Sequence, residues 1–222
     1  MTDTRTRILD AAERLLAERG FASCSLRAVT AAAGVNLGAV NYHFHSKEAL
    51  IQAVFRRRLE PLNRERLARL NVLEAEARGK ALPLTVLLHI LLDPLFDRGR
   101  DGIGFVRLLG RMYSEPSIDI YRIFHAELRE TIDRFLPAFR RTLPQLQPED
   151  LYWRVFFTIG AMAQTLAAGP LLRLISSGAC NPDELEGALA RLVYFTGAGL
   201  KAPPWPTAKA GRAKGAVHEI RR

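Results

Sequence analysis

SLRAVTAAAGVNLGAVNYHFHSKEALIQAVF, residues 25–55, is the stretch whose reading decides the fold. Ser25 has the side chain of an N-cap, and Leu26 and Val29 after it suit one turn of a short apolar-faced helix. Ala33-Gly34-Val35 then makes a tight connection, because glycine accepts backbone angles that other residues resist. Asn36 can cap the next short helix, in which Val40 and Phe44 are four apart and face the same way. Ser46 caps a long helix predicted from Lys47 to about Ala77, with Glu48 favourably placed in its first turn. Pro61 falls inside that helix and predicts a kink or change of direction there. Two short helices joined by a glycine-containing turn form a candidate helix-turn-helix, whose second helix would lie in the major groove of DNA.

Upstream, Ile8, Ala12, Leu15 and Leu16 follow the spacing of an amphipathic helix that Gly20 can close. Downstream of Gly79 the spacing predicts helices near 81–96, 102–114, 117–141, 149–176 and 183–200. Asp97-Arg98-Gly99, Glu115-Pro116, Leu143-Pro144 with Pro148, and Gly178 to Pro182 separate them, while Pro94, Pro137 and Pro170 should bend or shorten their own helices. No alternation of Val, Ile and Thr marks a strand, so the expected fold class is all-α.

The chain's 222 residues are 48% apolar and 25% charged, a globular composition with ample core material. Its net charge of +9 is unevenly spread: residues 1–50 carry six basic against five acidic groups, residues 51–80 eight against four, residues 81–200 twelve against thirteen, and the last 22 residues six against one. Such a balance suggests an anionic partner. Acids and bases run through MTDTRTRILDAAERLLAERG (1–20), which predicts no secretory signal. Val155 to Leu172 is uncharged over 18 residues, but Thr158, Gln164, Thr165, Gly169 and Pro170 favour a buried or interface helix over a membrane span. Cys24 and Cys180 lack metal-ligand spacing and read as reduced thiols of a cytoplasmic protein.

RILDAAERLLAERGF followed by residues 25–55 closely resembles the DNA-binding domain of the TetR family, almost without a gap over residues 5–55. The matched positions include Gly20-Phe21, Ala33-Gly34-Val35, Gly38, Phe44 and Ser46-Lys47-Glu48-Ala49-Leu50. One departure is that many members carry tyrosine where Asn41 stands, so Tyr42 moves the ring one position along. The resemblance implies a three-helix DNA-binding domain over 1–50 and a ligand-binding and dimerisation domain over 51–201, with the helix from 47 bridging both. A basic tail, 202–222, is expected to be disordered. The resemblance also implies that Lys47 contacts a phosphate; Ser25 and Arg27 at the start of the second helix can do so through hydroxyl, guanidinium and free amides, and His43 is expected to do likewise. Leu37, Asn41 and Tyr42 are the candidates for base edges, since asparagine can pair with adenine and an apolar side chain can meet a thymine methyl. Each of these could instead be a solvated surface residue.

In the second half, FVRLLG (105–110) and LYWRVFFTIGAMA (151–163) resemble the branch of the family that includes PsrA, a regulator of fatty-acid degradation genes. That implies a small hydrophobic effector, a long-chain fatty acid or acyl-CoA. Phe105, Met112, Phe124, Phe135, Phe139, Trp153, Phe156 and Phe157 could wall a long apolar cavity, or simply pack a core. Arg107 and Arg154 each sit in an apolar run, where a bare guanidinium is costly to bury. Either can clamp an anionic head group or pair with an internal carboxylate. Gly160, Ala161, Ala163 and Ala167, then Gly187, Ala188, Ala190, Gly197 and Ala198, permit close helix approach, and the resemblance implies a homodimeric four-helix bundle on a palindromic operator of double-stranded DNA.

Three rivals stand beside the repressor expectation. An enzyme would need a phosphate loop, HExxH, CxxC or nucleophile elbow, and the sequence has none of them, so no catalytic residue, metal or cofactor is expected. A regulator of efflux or detoxification would answer to an aromatic or drug-like compound. An architectural DNA binder would use the tail, with steep salt dependence and little sequence preference.

Overall fold

The computed structural model describes residues 3–97, 103–115 and 117–205. Every regular element among them is an α-helix: α1 Thr4–Ser23, α2 Leu26–Ala33, α3 Leu37–Phe44, α4 Lys47–Ala77, α5 Leu84–Phe96, α6 Ile103–Ser114, α7 Ile118–Thr142, α8 Pro148–Ala167, α9 Gly169–Ile175 and α10 Leu185–Lys201. The side chain of Arg107 and residues 206–222 of the tail lie outside the described residues.

The three caps form as their side chains dictate. Ser25 Oγ accepts from Ala28 N at 3.2 Å, Asn36 Oδ1 from Ala39 N at 2.8 Å and Ser46 Oγ from Ala49 N at 3.0 Å. Gly34 takes a left-handed φ of 64° and ends α2. Gly20, at φ 83°, breaks the helical path of α1, so Phe21 can turn into the core. Val29, Val40 and Phe44 are buried with Ile8, Ala12 and Leu16 of α1, which makes α1–α3 a small packed unit. Glu13, nearly buried on α1, holds both Arg57 and Arg58 of α4 and so ties that unit to the long helix.

Proline acts unequally. α4 runs unbroken through Pro61, and α5 and α7 contain Pro94 and Pro137. The predicted single helix 149–176, by contrast, splits at Ala168 into α8 and α9, bent by 79°. Pro170 has no N–H to donate and sits in the first turn of α9, where none is needed. No single helix among the described residues is long and apolar enough to cross a membrane; only the bent pair α8–α9 matches that length and composition together. α5 is the centre of the second half: Leu87, Leu88 and Leu92 are wholly buried between α4 on one side and α10 on the other. Each such leucine contributes about 1.5–3 kcal/mol relative to an exposed one.

Candidate functional site

α3 turns one face to its neighbours and leaves the other bare. Val40 and Phe44 are buried, while Leu37, Gly38, Asn41 and Tyr42 are exposed, Tyr42 at 79%. The outer face thus carries the three predicted base-reading side chains together. Ser25 and Arg27 are exposed at the start of α2, and His43 is half-buried with its ring edge-on to Tyr42 at 5.2 Å. Lys47 is placed differently. Its Nζ donates to the carbonyl of Phe21 at 2.7 Å, closing the C-terminal end of α1, so it would have to swing outward to meet a phosphate. Arg7 braces the turn itself by donating to the carbonyls of Ala33 and Gly34.

Against the middle of α4 lies a cavity of about 950 Å³ between α4, α5, α6, α7 and α8. Phe105, Phe124, Phe135, Phe139, Trp153 and Phe156 line it. Met112 and Phe157 do not: Met112 is packed in the core and Phe157 faces outward. The Arg154 guanidinium is not in the wall either. It is bidentate to Asp150 at 3.0 and 2.9 Å and donates to the carbonyls of Gly199 and Leu200 in the last turn of α10 and of Ala202 and Pro203 just beyond it. The hydrogen bonds from Arg154 hold the Asp150 carboxyl below the usual carboxylate range. The first residues of the predicted tail are accordingly held against α8, with Trp205 N donating to the same Asp150.

Four polar residues of the wall were not singled out from sequence: Glu149 and Tyr152, which are exposed at its rim, and Arg66 and Thr131, which are buried. Arg66 is 6% exposed, and burial pushes its guanidinium down to about 10, so it remains charged near neutral pH. Nε donates to the Leu91 carbonyl at 2.8 Å and Nη1 to Asn63 Oδ1 at 3.2 Å. A signal existed: Arg66 continues the stripe of Leu59, Leu62 and Leu70 on the buried face of α4.

Two polar seams run beside the cavity, one between α4 and α7 and one from α6 to α1. In the first, Asn63 of α4 donates to the Glu127 carbonyl of α7 at 2.9 Å, and the Glu127 carboxylate takes Arg56 and Gln52 further up α4. In the second, α6 lines the cavity with Phe105 and grips α1 with its last turn. Arg111 donates to the carbonyls of Ala17 and Glu18, and Glu115 Oε2 accepts from Phe21 N at 3.0 Å.

A capped helix-turn-helix with a bare outer face is thus joined by one continuous helix to an apolar cavity, a two-part helical architecture. Residues 8–54 match the family described as bacterial regulatory proteins, tetR family, and residues 88–199 match the tetracyclin repressor-like C-terminal domain. The chain belongs to the TetR family. Over 51 residues it is 49% identical to the HTH-type transcriptional regulator UidR of Escherichia coli K12, a match spanning 23% of this chain and 26% of that relative. The fold is shared with the transcriptional regulator FadR of Bacillus subtilis, solved with stearoyl-CoA: TM-score 0.57, 14% identity, over 85% of this chain and 97% of that one. It is shared equally with the multidrug binding protein EbrR, solved with malachite green: TM-score 0.57, 22% identity, over 87% and 98%.

Proposed function

We propose that the chain is a ligand-responsive transcriptional repressor: a cytoplasmic homodimer that binds a palindromic operator and is released when a long-chain fatty acid or its CoA thioester enters the cavity. The observation that carries this is the cavity itself, about 950 Å³ and walled by Phe105, Phe124, Trp153 and Phe156, against the middle of the helix that begins at Lys47. Its size is at the upper end of small-molecule sites, which run to roughly 1,000 Å³. The PsrA-like sequences at 105–110 and 151–163 and the fold shared with FadR support a lipid effector. Exposed Tyr152, Phe156 and Phe157 on α8 and Tyr194 and Phe195 on α10 support a second copy as the partner of that face, because apolar patches of this kind mark interfaces. Ser25, Arg27, His43 and Lys47 would hold phosphates, and Leu37, Asn41 and Tyr42 would read base edges.

The fold shared with EbrR and the aromatic wall favour a second reading, an aromatic drug-like effector. Titration of operator-bound protein with fatty acids and acyl-CoAs of graded length, against malachite green, separates the two. Release that rises with chain length is expected. Release by the dye alone would overturn the lipid effector and leave the repressor intact.

A further inference from the structure

Arg66 and Thr131 are anomalies within the cavity wall. A guanidinium as deeply buried as Arg66 is costly unless a counter-charge is close. Among the described residues no carboxylate forms an ion pair with it: Glu65 acts on it only through space and is itself bridged to Arg69, and its two hydrogen-bond partners, the Leu91 carbonyl and the Asn63 amide, are neutral. Nη2 has no hydrogen-bond partner among the described residues, so part of the fork is left over. Thr131 Oγ1 is likewise buried without a partner. Its neighbours show why that is unusual. Thr142, Thr158, Thr165 and Thr196 each donate to the carbonyl four residues back, the usual refuge of a helical hydroxyl. For Thr131 that carbonyl belongs to Glu127, and it already accepts from Asn63. Asn63 thus occupies the acceptor Thr131 would use while its own Oδ1 steadies Arg66.

An unsatisfied cation and an unsatisfied hydroxyl in one apolar cavity are complementary to a single group, a carboxylate. We propose that Arg66 and Thr131 form a buried head-group subsite that selects a free long-chain carboxylic acid, bound head inward with its chain toward Trp153 and Phe156, and discriminates against the CoA thioester. This rests on the lipid-effector reading above and narrows it. The direction follows from burial within the chain: Arg66 and Thr131 are 6% and 5% exposed, whereas Trp153 and Phe156 lie at the outer, α8 side of the wall, over which the second copy proposed above would close. A thioester carries its anionic phosphates on a bulky polar group, which such a wall cannot take in. Its acyl carbonyl is neutral and leaves Arg66 uncompensated.

The test compares hexadecanoic acid, its methyl ester and its CoA thioester by calorimetry on the full-length protein. Wild type is expected to bind the acid about tenfold or more tighter than the ester, the effect of a charged hydrogen bond. Arg66→Met should bring that ratio close to one while keeping ester affinity. Thr131→Val guards against misfolding of the first variant. It removes an unsatisfied buried hydroxyl, so it should raise the unfolding temperature of the free protein and still weaken acid binding several-fold. Acid and ester binding alike, thioester binding as tight as acid, or selectivity surviving in both variants would each overturn the subsite and leave the lipid effector standing. If none of the three lipids binds while malachite green does, the lipid reading falls and the subsite with it.

Discussion

Gly20 shows how much one residue can fix. Its φ of 83° belongs to the region that favours glycine, and a Cβ there would lie 1.9 Å from Glu115 Oε1. The same carboxylate takes the N–H of Phe21, so a side chain at 20 would both strain the backbone and evict its cap. Gly20→Ala is expected to destabilise the protein by about 1–3 kcal/mol, read as a lower unfolding temperature. An unchanged melt would mean that the turn relaxes freely. Lys47 has two partners to choose between. In the free protein it closes α1 through the Phe21 carbonyl, and at the operator it would turn to a phosphate. Lys47→Ala should weaken binding to all DNA sequences and make log K less steep in log salt by about one unit per subunit. A salt slope equal to wild type would leave Lys47 with its structural role only. Arg154 has its donors taken up by Asp150, the last turn of α10 and the chain just beyond it. Arg154→Ala should therefore lower thermal stability without changing the acid-to-ester preference, and the same calorimetry checks it.

At the scale of elements, the helices and caps were legible because they are local. Ser25, Asn36 and Ser46 cap where their side chains predict, since each reaches an N–H only three residues on. The cavity's aromatic lining was partly legible from apolar character. Met112 and Phe157 show the limit, because composition does not say which face of a helix borders a void. Arg66 was missed because attention to charges in apolar runs favours contiguous runs, such as those around Arg107 and Arg154, over a periodic stripe. The α6–α1 grip was beyond sequence reading, since it joins residues more than ninety apart. That grip gives α6 a role beside α4 in communication. Glu115→Ala should leave the affinity of the cavity for hexadecanoic acid within about twofold and reduce the shift that the acid causes in operator affinity, because coupling energies of about 1–3 kcal/mol are readily eroded at the contacts that carry them. Ligand and operator titrations on the variant check both halves. Full coupling in Glu115→Ala would leave transmission to α4 and its Asn63–Glu127 seam.

Across the whole molecule, the pose of the α1–α3 unit is what would couple the two proposed sites. That unit is held to α4 by Glu13 with Arg57 and Arg58, and to α6 by Arg111 and Glu115. Both helices also border the cavity, so a ligand that moves either one moves the outer face of α3. In a dimer, a small tilt of α4 in each subunit changes the separation of two such faces, and a palindromic operator accepts separations near one helical turn of DNA, about 34–36 Å, or multiples of it. An effector must then stabilise the arrangement that DNA does not. Operator and effector therefore share one coupling free energy, and each must lower the affinity for the other by the same factor. The expected outcome is that hexadecanoic acid weakens operator binding by about 5–150-fold. Saturating operator should weaken acid binding by that same factor, measured by titrating the acid into free and operator-bound protein. Acid affinity that is indifferent to operator, alongside loss of DNA on adding acid, would break the reciprocity and point to competition for the DNA surface itself.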